Sequence, residues 1–324
     1  MHFPQRVLIV SVKGDLHAAV IRKTISKQIG IDCCIFEVDS IAYSSSITIR
    51  DIGKEVEFSF LDSDGVRRQA SEFATIWWRR GSREQTIEGI GNLSAAQIDL
   101  INNDSSAAFR GGLLAAFDGR WINHPTANAA AEDKILQLEA ASRAGFRIPV
   151  TLVSQDYNEV RQFLRNLGGE GVLKTLRGTR LQNLLSVAIQ TDDIDAVAVN
   201  ASPAIYQERI SGTEHLRIQV FGSNIYCVKI SSKEMDWRDN LDIPSVIVEV
   251  DETTRGRIFR IMHELNLEMG IIDMKILPSG ELVWLEINPQ GQFLFLEPMT
   301  KFDFKMAFAK FLSGSTVRHI EYVN

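Results

Sequence analysis

The stretch from Gly270 to Gln292 reads G-I-I-D-M-K-I-L-P-S-G-E-L-V-W-L-E-I-N-P-Q-G-Q. Two apolar runs flank the turn cluster Pro278-Ser279-Gly280, which is the pattern of a β-hairpin. With Ser279-Gly280 as a two-residue loop, Pro278 pairs with Glu281, and the register sets Asp273 across from Glu286. Alternation then puts Trp284, Glu286 and Asn288 on one face and Val283, Leu285 and Ile287 on the other. Like charges directly opposite each other destabilise a strand pair, so a cation is expected between the carboxylates. An oxygen-only set from Asp273, Glu286 and Asn288 suits Mg²⁺ that shares its remaining sites with water and nucleotide phosphates. The alternative is that Lys275, on the face of Asp273, neutralises the carboxylates itself.

Outward from the hairpin, residues 252–269 read as an amphipathic helix with Ile258, Ile261, Met262 and Leu265 on one face. Leu216–Phe221 and Ile225–Ile230 around Gly222-Ser223-Asn224 make a second hairpin, followed by a polar loop over 231–238. Phe304–Leu312 is a short closing helix. Upstream, Asn128 is placed to cap a helix running to Ala144, with Gly145 closing it and Lys134 in its first two turns. Gly171–Lys174 is a short strand ending in a lysine, and the donor-rich loop Thr175–Arg180 follows. Compact lysine heads suit phosphate oxygens, although such a lysine is usually no more than a solvated face. Ala204–Ile210 is a further strand leading to a turn at Gly212.

The N-terminal segment starts as βαβ and therefore as a parallel sheet: strand Arg6–Val12, a helix capped by Asp15 and closed by Gly30, then strand Cys33–Val38. Thr48–Arg50 and Glu55–Leu61 read as a hairpin, and residues 94–117 as a helix. Trp77-Trp78-Arg79-Arg80 ends a strand; the two guanidiniums are either solvated or a clamp for carboxylate or phosphate.

The 324 residues exceed what one core usually supports, and 45% hydrophobic with 23% charged residues is ordinary for a globular protein. A net charge of −6 without a Lys/Arg-rich run argues against nucleic acid as a partner. Cys33, Cys34 and Cys227 have no metal or disulfide spacing, and no apolar run approaches a membrane span. The expectation is a reduced, cytoplasmic protein with no membrane association.

Taken together, Lys134, Lys174, Y-Q-E-R-I at 206–210, H-L-R at 215–217, D-W-R at 236–238, Asp273 and E-I-N-P-Q-G-Q at 286–292 resemble the ATP-grasp superfamily. The W-W-R-R, N-H-P and D-W-R signatures are similar to its microviridin-type graspetide branch, the ribosomal-peptide macrocyclases. The resemblance implies an α/β (α+β) ATP-grasp fold: an N-terminal pre-ATP-grasp parallel-sheet domain (1–125), a central lid (126–208) and a C-terminal domain (209–324). It further implies ATP and Mg²⁺ as cofactors. Lys134 and Lys174 would hold phosphates, Gln207, Glu208 and Ile210 would meet the base, and Asp273, Glu286 and Asn288 would bind the metal. Arg217 and Arg238 would face the transferred phosphate and the acyl group. The position two before Arg217 is commonly acidic in this branch; here it is His215, with Glu214 displaced by one, so either could meet the ribose.

The activity implied is ATP-dependent activation of Asp or Glu side chains of a precursor peptide, followed by ester or amide ring closure. The partner implied is a precursor peptide with a leader and an acidic core, drawn to Arg79, Arg80, Arg83, Arg177 and Arg180. The hairpin 216–230 and the loop near Asp192-Asp193 are candidate docking surfaces, and a homodimer is compatible with this reading. Two rivals stand beside it: a ligase that adds free amino acids to a peptide or protein, and a non-catalytic protein that binds ATP as a regulatory ligand.

Overall fold

The computed structural model describes residues 6–87, 91–178, 186–234, 237–239 and 241–314. The run Val7–Ser11 forms β1, buried throughout. Asp15 then caps α1 (Leu16–Thr24) by accepting from the amide of Ala18. A π-helical turn, Ile25–Ile29, ends at Gly30, whose φ of +81° favours glycine. Next comes β2 (Cys33–Glu37), parallel to β1. The hairpin expected next is present as β3 (Ile47–Arg50) and β4 (Glu57–Leu61), extended by β5 (Arg67–Gln69) into a small antiparallel sheet. Strand β6 (Thr75–Trp78) returns to the other side of β1. Helix α2 (Ala95–Ala116) starts at a Ser94/Gln97 capping box, and β7 (Arg120–Ile122) completes the parallel order β2-β1-β6-β7. Phe36, Phe58, Phe60, Phe109 and Trp78 fill the core between the sheets and α2.

The single helix expected over 128–144 is two: α3 (Pro125–Ala131) and α4 (Lys134–Arg143). The Asp133 carboxylate accepts from the amides of Ile135 and Leu136, so it caps α4, and Asn128 lies within α3. A first antiparallel sheet follows from β8 (Thr151–Ser154), α5 (Tyr157–Asn166), β9 (Glu170–Lys174), β10 (Val187–Gln190), α6 (Ala196–Ala201) and β11 (Ala204–Gln207). Its strand order is β10-β9-β11-β8. A second one contains β12 (Glu214–Phe221), β13 (Asn224–Ser231), β14 (Ser245–Val248), then α7 (Glu252–Glu264), β15 (Met269–Ile276) and β16 (Leu282–Asn288). Its order is β14-β13-β12-β15-β16, antiparallel throughout. Leu138 and Ala141 of α4 and Ile258 and Ile261 of α7 cover one face of it, against Leu216, Ile218, Ile272, Met274 and Trp284.

After α8 (Leu296–Thr300) the chain ends its described course with α9 (Phe304–Leu312), which packs on α1. Two compact units result: residues up to Pro125 with those from Phe302 on, and Thr126–Lys301. The hairpin 216–230 is interior to its sheet, because β15 and β14 pair with its two outer edges. It therefore offers no free edge for a docking peptide, which the unrecognised β14 explains. The three thiols are free and buried, and burial pushes each of them up, Cys227 to about 12, which leaves them unreactive.

Candidate active site

The loop of the 270–292 hairpin is one residue longer than the sequence suggests. Leu277 and Glu281 are paired by a backbone hydrogen bond, and Gly280, at φ +87°, closes a three-residue turn. Ile276 pairs with Leu282, Lys275 with Val283 and Met274 with Trp284, after which the register slips at a β-bulge between Asp273 and Met274. The slip restores Asp273 opposite Glu286, with Ile272 opposite Ile287. Longer turn and bulge cancel at the carboxylates, so the expected pair forms. They do not cancel at Trp284. A bulge sets two residues against one and breaks the alternation. Trp284 accordingly joins Ile287 in the core, 5.6 Å from the ring of Phe146, and not the face of Glu286. Leu285 and Glu286 both line the cleft.

That cleft, of about 430 Å³, lies wholly within the Thr126–Lys301 unit. Val172, Lys174 and Gln207 of the first sheet form one wall, and His215, Asp273, Lys275 and Glu286 of the second form the other. The segment Glu208–Thr213 joins the walls, and Trp237 and Arg238 also line the cleft.

Asp273 is held from one side by Arg217, its partner on β12: Nη1 donates to Oδ2 at 2.6 Å while Nη2 donates to the carbonyl of Gln292 at 2.9 Å. Its other oxygen, Oδ1, is buried without a hydrogen-bond partner among the described residues. Burial, aided by Glu286, raises the Asp273 carboxyl above the usual carboxylate range despite the opposing pull of Arg217. A buried carboxylate oxygen in that position would be satisfied by a cation, so the donors present fit one. Asn288 stands at the exposed end of β16, its Oδ1 accepting from the amide of Gln290 at 2.9 Å. Among the described residues no three His, Cys, Asp or Glu side chains gather; the candidate set is two carboxylates and an amide. Lys275 does not neutralise the carboxylates. Its Nζ donates to the carbonyls of Ile210 at 3.0 Å and Gly212 at 2.9 Å.

Lys174 ends β9 facing this pair. Burial lowers its ammonium, Glu286 and Asp273 oppose that, and Lys134 and Arg238 reinforce it. Lys134, the first residue of α4, donates Nζ to the carbonyl of Thr175 at 2.9 Å. Two lysines, Arg238 and two carboxylates thus share one electrostatic field. Gln207 is buried, and its amide orientation follows from its neighbours. Thr151 Oγ1 donates to the carbonyl of Pro149, so it accepts from Gln207 Nε2 at 2.9 Å, leaving Gln207 Oε1 as an unmatched buried acceptor. The Glu208 side chain is taken up by Arg147 at 2.7 Å and the Val150 amide at 3.2 Å. Ile210 lines the cleft, its carbonyl held by Lys275.

Of the two ribose candidates, His215 lines the cleft. Glu214 shares the parity of the core residues Leu216 and Ile218, and its carboxylate lies 3.5 Å from Lys229. Arg217 grips Asp273 and does not line the cleft, unlike Arg238. In the other unit, Arg79 is buried with Nε 2.8 Å from Asp15 Oδ2, and Arg80 lies 3.2 Å from the same oxygen. Burial raises Asp15, but Arg79, Ser11 and the Ala18 amide outweigh it and hold the carboxyl low. Arg79 is thus neither a solvated strand end nor an open clamp. Arg177 is exposed, 3.3 Å from Glu132, and Arg180 and Asp236 lie outside the described residues. Sequence reasoning missed Gln137, whose Nε2 donates to Ala131 and whose Oε1 accepts from the amide of Ile287. A glutamine on the apolar face of α4 was its one signal.

No family model matches the sequence. A curated relative, a probable alpha-L-glutamate ligase of Mannheimia succiniciproducens, is 22% identical over 204 residues, which span 59% of this chain and 66% of that protein. Among solved structures, macrocyclase MdnC of Microcystis aeruginosa MRC, bound with precursor peptide MdnA, superposes with a TM-score of 0.82 at 24% identity over 95% of this chain and 99% of that one. A RiPP-associated ATP-grasp ligase of Chryseobacterium gregarium, in complex with ADP and a leader and core peptide, gives 0.84 at 20% identity over 98% and 99%. The ATP-grasp ligase PsnB, with a phosphomimetic minimal precursor, Mg and ADP, gives 0.75 at 17% identity over 95% and 98%. Likeness of this extent, on a cleft between two antiparallel sheets, establishes that this chain has the ATP-grasp fold.

Proposed function

We propose that the cleft binds ATP with Mg²⁺ and that the protein is a ligase acting on Asp or Glu side chains of a ribosomal precursor peptide. The observation that carries the reading is the Asp273–Glu286 pair, with one buried carboxylate oxygen unmatched and Lys174 facing it. Asp273, Glu286 and Asn288 would hold Mg²⁺, which when bound supplies charge neutralisation at phosphate oxygens. Lys134 and Lys174 bind phosphates, Gln207 to Ile210 receive the base, and His215 rather than Glu214 meets the ribose. Arg238 faces the reacting groups, while Arg217 acts through Asp273 as a positioning residue.

The chemistry is transfer of the terminal phosphoryl group to a side-chain carboxylate. A Lys amine or a Ser or Thr hydroxyl of the same peptide then displaces phosphate, closing an omega-amide or omega-ester ring. MdnC was solved with a precursor peptide and the C. gregarium ligase with a leader and core peptide; we extend that substrate class to this chain and assign it a microviridin-type product. A leader docked away from the site would raise the local concentration of the core. The reaction belongs in the cytoplasm, where precursor and ATP meet; the described residues include no helix long and apolar enough to cross a membrane. The second reading, addition of free amino acids, is favoured by the likeness to a probable glutamate ligase. Mass spectrometry of candidate precursors incubated with enzyme, ATP and Mg²⁺ separates the two: rings remove water, whereas addition raises the mass.

A further inference from the structure

The segment Glu208–Thr213 carries the chain from the first sheet of the cleft to the second. Three sets of side chains fasten it. Glu208 pairs with Arg147 at 2.7 Å, with side chains 24% and 33% exposed. Arg209 pairs with Glu170 at 3.2 Å, with side chains 50% and 47% exposed. Ion pairs that open to water are screened and contribute little. The third fastening differs: Lys275, only 9% exposed, donates to two carbonyls of the segment, Ile210 and Gly212. Among the described residues no carboxylate lies within ion-pair distance of its Nζ, so those carbonyls carry the solvation of a buried ammonium. Hydrogen bonds to a charged donor are stronger than neutral ones, and little of Lys275 is exposed to competing water. Backbone geometry adds to the fit. Gly212 has φ +100°, and a Cβ built there would stand 2.7 Å from the carbonyl of Ile276, one residue beyond Lys275.

We propose that Lys275 is a positioning residue: by holding the carbonyls of Ile210 and Gly212 it fixes the segment that receives the nucleotide base. This assignment rests on the nucleotide reading of the cleft for its consequence, but not for its structural half. Lys275 lies on β15 two residues from Asp273, so the strand that presents the metal-binding carboxylate also sets the base-binding segment. Rigid spacing between base and phosphate subsites follows from that shared strand.

The experiment compares wild type, Lys275→Met, Lys275→Gln and Lys275→Arg. Amide hydrogen exchange is measured on the ligand-free proteins, and ADP–Mg²⁺ is titrated calorimetrically. Lys275→Met should speed exchange selectively in 208–213 and weaken ADP about tenfold. Lys275→Arg should recover most of both losses, and Lys275→Gln, which keeps a donor, should fall between. With peptide substrate the loss should appear in KM for ATP and leave kcat within about twofold. Unchanged exchange in 208–213, or exchange raised across the whole Thr126–Lys301 unit with a large drop in melting temperature, would overturn the assignment. Wild type that fails to bind ADP would defeat the nucleotide reading, while the exchange data would still judge Lys275.

Discussion

Asp273 has two opposed neighbours, Arg217 bonded to one oxygen and Glu286 across the strand pair. Removing either acid relieves like-charge repulsion, but the two substitutions differ in what they leave behind. Glu286→Gln should cut turnover at least about 100-fold with little change in melting temperature. Asp273→Ala should also abolish turnover, but it strands a buried guanidinium and should cost about 3–5 kcal/mol in urea unfolding. Equal stability of the two variants would contradict the Arg217 pairing. Lys174→Ala should weaken nucleotide binding as well as turnover, and unchanged affinity in a direct titration would contradict its phosphate-binding role. A separate residue-scale effect sits in the N-terminal unit. Burial, then the charges of Arg79 and Arg80 against that of Asp15, pull His17 down from 6.5 to about 4. The folded protein therefore keeps this imidazole neutral where the unfolded chain protonates it. Stability should fall as pH drops from about 6.5 towards 4, by an amount of the order of 2 kcal/mol, and level off below. Denaturant titrations of wild type and His17→Gln should diverge across that window, the variant being flatter; parallel curves would refute the cause.

At the scale of elements, what was legible in the sequence had strong local signals. Asp15 and Gly30 bound the first helix, alternation marks the hairpins, and Asp273 meets Glu286. The losses were where one signal hid another. Asp133 splits the helix that the sequence pattern starts at Asn128, because a carboxylate can take backbone amides that a continuing helix needs. A bulge moved Trp284 to the core, and no residue pattern announces a bulge beside a longer turn. Short elements such as β7, β8 and β14, three or four residues each, carry too little periodicity to be read. Pairings over long range, such as Arg79 with Asp15 or Arg217 with Gln292, have no sequence signature at all. Two glycines test the backbone account. Gly280→Ala meets no atom within 4 Å and should cost about 1–2 kcal/mol for its positive φ alone. Gly212→Ala adds a clash with the carbonyl of Ile276 and should cost distinctly more in thermal or urea unfolding, with weaker nucleotide binding. Equal costs would show that the segment yields easily.

At the scale of the whole molecule, the proposed nucleotide cleft belongs to the Thr126–Lys301 unit, and its cationic lysines facing paired carboxylates suit phosphoryl transfer. The substrate reading makes a claim on mass and on nucleotide together. Wild-type protein should be incubated with ATP, Mg²⁺ and a leader-bearing precursor whose core carries acidic residues and Lys, Ser or Thr, with ADP and intact peptide mass followed over time. The account predicts loss of one water per ring with one ADP formed in step, slowed when the leader is removed and absent in Glu286→Gln. Gain of amino-acid mass, or ADP formed only when free amino acids are added, would contradict it.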